Sequence, residues 1–131
     1  MKNLEKAGVW LKRAKSNMAR AKAGKFSPEI LYEDICFDAQ QAVEKALKCL
    51  CIIHEIQFPK THDIAYLLEL LEIEGVSIPD KVSTARLLTD YAVEARYPGE
   101  YEPVDEKEYL TALKIAEDVL NWVEKKMEEE G

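Results

Sequence analysis

The segment Arg96-Tyr97-Pro98-Gly99-Glu100-Tyr101 sets one guanidinium and two phenols around a Pro-Gly turn. Arginine supplies planar donors for a phosphate and tyrosine a π-face with a hydroxyl, so the segment suits an anion or a stacked base. At a helix end the same arginine can instead satisfy the last carbonyls and the dipole. A second set, Asp34, Asp38, Gln41, Lys45 and Lys48, recurs at steps of four, three, four and three, with Phe37 beside it. That spacing predicts one polar stripe on a helix. It is either a solvated face with Asp38–Lys45 or Gln41–Lys45 neighbours, or part of a binding surface. His62-Asp63 forms a third polar pair at a helix start, where Asp63 favours the dipole and His62 can cap or pack.

Other chemistries lack their residues. The chain has no Gly-rich phosphate loop, Gly-x-Ser-x-Gly elbow, His-Glu-x-x-His or Cys/His cluster. Cys36, Cys49 and Cys51 fall in one predicted helix, where Cys49 and Cys51 point about 200° apart. They read as reduced, buried, small apolar residues. No metal and no cofactor is expected.

The elements that must position these residues are helices. In 131 residues, 47% are hydrophobic and 33% charged, the balance of a globular chain that buries its own core. No apolar run approaches the roughly 20 residues of a membrane span. The N-terminal sequence reads as an amphipathic helix rather than a signal peptide, so the expected location is cytoplasmic, as a single domain over 1–131. The net charge of −7 is unevenly spread. Residues 1–25 carry Lys2, Lys6, Lys12, Arg13, Lys15, Arg20, Lys22 and Lys25 against Glu5 alone. Such a helix either docks on an acidic surface or binds a phosphate backbone.

Apolar periodicity predicts five helices and no strand. Helix one, about 3 to 22, places Ala7, Leu11, Ala14, Met18 and Ala21 in one stripe, with Trp10 at its edge, and ends at Gly24. Ser27-Pro28 reads as the start of helix two, about 28 to 55, whose broad apolar band marks a central helix. Thr61 is the expected cap of a helix through Glu72, and Gly75 breaks it. Pro79-Asp80 opens a fourth helix, with Val82, Ala85, Leu88, Ala92 and Ala95 on one side, ending near Arg96 before Pro98. Asp105 and Glu108 match a capping box for a fifth, with Leu110, Leu113, Ala116, Val119, Leu120 and Val123 inward. Trp122 and Phe37 fit either core or interface, and the acidic tail from Glu124 reads as a frayed end. The simplest topology is an all-α, up-and-down antiparallel bundle.

Four blocks in order resemble a known family. They are Trp10-Leu11 with Ala14, Cys36-Phe37-Asp38-Ala39-Gln40-Gln41-Ala42-Val43-Glu44-Lys45-Ala46-Leu47-Lys48, Phe58-Pro59-Lys60-Thr61-His62-Asp63-Ile64, and Tyr91-Ala92-Val93-Glu94-Ala95-Arg96-Tyr97-Pro98-Gly99. Together they look like a stand-alone prokaryotic HEPN domain (higher eukaryotes and prokaryotes nucleotide-binding), over about residues 5 to 125. The resemblance implies a bundle like the C-terminal domain of kanamycin nucleotidyltransferase, a homodimer, and pairing with a minimal nucleotidyltransferase, often as a toxin–antitoxin module. It also implies that nucleotide or RNA is a ligand, and that no membrane is involved.

Many HEPN proteins are metal-independent RNases whose motif is an arginine, a polar residue and, a few residues on, a histidine. Histidine can move the 2′-hydroxyl proton and arginine can stabilise the phosphorane. Here Arg96 matches the arginine, Tyr97 follows it, and Tyr101 stands where the histidine falls. A phenol with a pKa near about 10 is a poor base at neutral pH. The resemblance thus implies a binding protein with a degenerate RNase motif, using Arg96, Tyr97, Tyr101, Asp38, Gln41 and Lys45 toward nucleotide, RNA or nucleotidyltransferase. The alternatives are an endoribonuclease toxin with an altered Arg/Tyr site and a structural oligomerisation module. Tyr97 and Tyr101 are also candidates for modification by a nucleotidyltransferase.

Overall fold

A computed structural model describes residues 2–92 and 103–130. Every regular element among them is helical: α1 (Lys2–Ala23), α2 (Tyr32–Ile53), α3 (Ile64–Ile73), α4 (Asp80–Ser83), which continues as a 3₁₀ segment (Thr84–Ala92), and α5 (Glu106–Glu130). None is long and apolar enough to cross a membrane.

Helix α2 is the hub, packed against α1, α3, the 3₁₀ segment and α5. Its apolar side, including Ile35, Ala39, Ala42, Val43, Ala46, Leu47 and Leu50, is buried. Opposite it lie Ala7, Ala14, Met18 and Ala21 of α1, Leu67, Leu68 and Leu71 of α3, and Ala116, Val119, Leu120 and Val123 of α5. The many alanines let the helix axes approach closely. Cys36, Cys49 and Cys51 are buried in this core as thiols rather than disulfides, as the sequence implies. Burial raises the pKa of Cys49 to about 11 and that of Cys51 to about 12. Trp122 belongs to the core and Phe37 is half-buried.

Several boundaries differ from the sequence expectation, each for a local reason. Ser27-Pro28 does not open α2: the Ser27 carbonyl accepts from the Ile30 amide (3.1 Å) and its Oγ from the Glu29 amide (3.3 Å), closing a turn. The chain then passes through extended Leu31 and becomes helical at Tyr32. Tyr32 stacks on Tyr109 with ring centroids 5.4 Å apart and donates its hydroxyl to Glu106 (3.2 Å). Asp63, not Thr61, caps α3 by accepting from the Tyr66 amide (3.2 Å), while Thr61 Oγ1 accepts from the Asp63 amide.

The expected fourth α-helix is one α-turn followed by 3₁₀ geometry. Its buried side chains are Val82, Ala85, Leu88 and Tyr91, spaced by three, so three residues per turn keep them on one side. Asp105 caps α5 through the Glu108 amide (2.8 Å), but the Glu108 carboxylate accepts from the Tyr91 hydroxyl. In α5, Tyr109 is buried and Leu110 is 52% exposed, reversing the expected inward position of Leu110. The acidic tail stays helical to Glu130.

Two helices end in the same Schellman geometry with different residues. After α3, Gly75 takes φ 89° while the Val76 amide reaches the Leu71 carbonyl. After α2, Glu55 takes φ 57° while the Ile56 amide reaches the Cys51 carbonyl.

Candidate functional site

The polar stripe of α2 is solvated at Asp34 alone; from Asp38 onward it is covered. Asp38, Gln40, Glu44 and Lys48 are buried, and Gln41 and Lys45 are half-buried. Two elements cover them: α1 along one edge, and the loop leading to His62 along the other. Burial of polar groups is tolerable only where they are paired, and here two linked sets do so.

On the α1 edge, Asn17 joins the stripe to α1. Its Nδ2 donates to Asp38 Oδ1 (3.2 Å) and its Oδ1 accepts from Lys45 Nζ (2.7 Å). Arg20 Nε also reaches Asp38 Oδ1 (3.4 Å). Neither neighbour relation expected for Lys45 forms, because Asn17 takes its ammonium. Burial lowers the Lys45 pKa; the nearby Glu44 and Asp38 carboxylates oppose this, and the Arg13 and Arg20 charges add to it. Three cations therefore share a neighbourhood in which Asp38 is a direct hydrogen-bond partner.

On the other edge, Gln41 Nε2 donates to Gln40 Oε1 (2.8 Å), and Gln40 Nε2 donates to Glu44 Oε1 (3.2 Å) and to the His62 carbonyl (3.3 Å). Glu44 Oε2 accepts from Lys48 Nζ (2.8 Å), and Glu44 Oε1 lies 2.7 Å from His62 Nδ1. A carboxylate only accepts, so it fixes the Nδ1–H tautomer and leaves Nε2 on the solvent side of a ring that is 67% exposed. His62 is thus neither a cap nor a packing residue. Lys48 Nζ also lies 5.4 Å from the Trp10 ring and 5.8 Å from Phe58, and those rings meet edge to face.

Of the residues expected in the site, Asp38, Gln41 and Lys45 fall within this network. Arg96, Tyr97 and Tyr101 lie outside the described residues. The sequence reading missed Asn17, Arg20, Gln40 and Glu44 as partners of the stripe. The signal was available in part: Gln40 and Glu44 are four residues apart beside the stripe, and Asn17 is three residues from Arg20. Among the described residues no group of three or more His, Cys, Asp or Glu could hold a metal. Chemically the face offers amides, a buried carboxylate pair with its cations, and an oriented imidazole.

Comparison with known proteins gives a consistent result. A family model described as HEPN domain matches residues 7–126. The crystal structure of TT1696 from Thermus thermophilus superposes with a TM-score of 0.76 at 33% identity, covering 92% of this chain and 97% of that one. ST0689, described as an archaeal HEPN homologue, superposes with a TM-score of 0.73 at 27% identity over the same shares. No curated protein matches the chain significantly.

Proposed function

The chain belongs to the HEPN domain family, which is associated with nucleotide- and RNA-related functions, and on that premise we propose that it is a binding member with a degenerate RNase motif. Its ligand is a nucleotide, an RNA or a minimal nucleotidyltransferase, taken up by a homodimer in a toxin–antitoxin-like pair. Asp38, Gln41 and Lys45 act with Arg96, Tyr97 and Tyr101. The observation that carries the reading is the half-buried Lys45 ammonium, held by Asn17 Oδ1 (2.7 Å) close to Arg13 and Arg20, so that a phosphate would meet three cations in one place, with Glu44 and Asp38 balancing part of their charge. Calorimetric titration with nucleoside monophosphates, short RNA and the nucleotidyltransferase tests it. Arg96→Ala and Lys45→Ala should each weaken at least one affinity by tenfold or more. If both variants bind every ligand as the wild type does, the reading fails.

One observation favours the endoribonuclease as a second reading: Glu44 holds His62 with Nε2 toward solvent, which supplies the imidazole that Tyr101 lacks. Incubation with cellular RNA in EDTA decides between them. Cleavage that disappears in both His62→Ala and Arg96→Ala would replace the binding-only reading.

A further inference from the structure

Five of the basic residues of helix α1 lie on two flanks with different surroundings. On the flank turned to α5, Lys15 reaches Glu124 (3.3 Å) and Lys22 reaches Glu117 (3.8 Å). Docking on the chain's own acidic surface, one of the two expectations for this helix, accounts for those two. The other flank carries Lys6, Arg13 and Arg20, also seven residues apart. Each step of seven returns to within about 20° of the same direction and advances about 10.5 Å. All three side chains are exposed. Among the described residues neither Lys6 nor Arg13 has a carboxylate partner, and Arg20 shares Asp38 with Asn17. Lys45 lies beside this line, within the field of Arg13 and Arg20.

We propose that the flank Lys6–Arg13–Arg20, with Lys45 beside it, is a track for the phosphate backbone of single-stranded RNA. It deepens the nucleotide- or RNA-binding reading above and rests on it. From Lys6 to Arg20 the helix rises about 21 Å. A stacked strand rises about 3.4 Å per nucleotide, so the track spans about six nucleotides and meets about every third phosphate. Among the described residues of α1 the one large apolar side chain that is exposed is Val9, at 53%. A protein partner needs an apolar or aromatic centre to its contact, whereas a phosphate chain needs only cations at intervals. The charge on α1 is therefore divided: one flank fastens the helix to α5, and the other faces the ligand.

The test is fluorescence anisotropy with a labelled octa-adenylate RNA, titrated between about 50 and about 200 mM salt. Lys6→Gln and Arg13→Gln should each weaken binding several-fold and make the slope of log affinity against log salt shallower by about 0.7. Lys15→Gln, on the α5 flank, should change neither. If the RNA binds, Arg96→Ala abolishes binding and the two flank variants leave affinity and slope intact, the track is wrong and the binding reading stands. If wild-type protein binds a nucleoside monophosphate but no RNA, the track is equally overturned. Loss in the flank variants of affinity for the nucleotidyltransferase alone would assign the flank to an acidic protein and also overturn the proposal. Failure to bind any RNA removes the track, and only failure to bind nucleotide, RNA and nucleotidyltransferase alike removes both readings together.

Discussion

The two sides of α2 solve opposite problems with one helix. The core side is built of Ala, Leu, Val, Ile and Cys, whose contacts are non-directional and tolerate exchange at constant volume. The polar side buries Asp38, Gln40, Glu44 and Lys48, each of which depends on named atoms of other residues. A buried ion pair is weak as a source of stability and expensive to break. A bundle seeking stability alone has no need of this second side. On the proposed reading this face, which α1 and the His62 loop cover, is the one that meets the ligand.

The contrast can be broken in order of effect. Leu47→Ala on the core side should cost about 2–5 kcal/mol in urea unfolding, through transfer and cavity terms, while ligand affinity of the folded fraction is unchanged. Affinity that falls along with stability would erase the distinction between sides. Glu44→Gln keeps the shape and an acceptor but leaves Lys48 buried without its counter-charge, at about 3 kcal/mol, the low end for breaking a buried pair. The double variant Glu44→Gln/Lys48→Met should recover much of that loss, and no recovery would mean that the pair itself is the source of stability.

A smaller, pH-dependent effect follows from the thiols. Cys49 and Cys51 stay protonated in the fold up to about 11 and about 12, whereas the unfolded chain ionises them near their ordinary 9.0. Below pH 9 they leave stability unchanged. As pH rises from there toward the folded values, ionisation favours the unfolded chain, by about 1 kcal/mol per thiol at pH 10. Cys49→Ala/Cys51→Ala should flatten that alkaline decline in thermal melts. The smallest change is expected from Glu55→Gly, which relieves a left-handed backbone by about 1 kcal/mol but gives up a hydrogen bond from Asn3. A loss of stability there would show that the bond outweighs the backbone strain.

Helix number, the core stripes of α1 and α2 and the buried state of the cysteines were legible because apolar spacing reports directly on burial. Three things were not. Ser27-Pro28 has the residues of a helix start, but closes its own turn through a backbone carbonyl that sequence does not reveal. The spacing of three from Val82 to Tyr91 suits both a short α-stretch and 3₁₀ geometry, and packing selects the second. The periodicity of Asp34 to Lys48 gives the side of α2 they occupy, not what lies over it. Asn17 and His62 stand 21 and 18 residues from their partners Asp38 and Glu44, beyond the reach of any local pattern. The residue types of Asp38, Gln41 and Lys45 were therefore visible in the sequence, and their wiring was not.

The bond from Asn3 Nδ2 to Glu55 Oε1 (2.9 Å) spans 52 residues and ties the first turn of α1 to the residue just past α2. With Asn17 bridging the middle of the same two helices, the hairpin is closed at its open end as well as along its length. Local opening at either terminus then has to break contacts belonging to both helices. In native-state hydrogen exchange the amides of α1 and α2 should consequently open as one cooperative unit, with the chain's first turns protected rather than fraying.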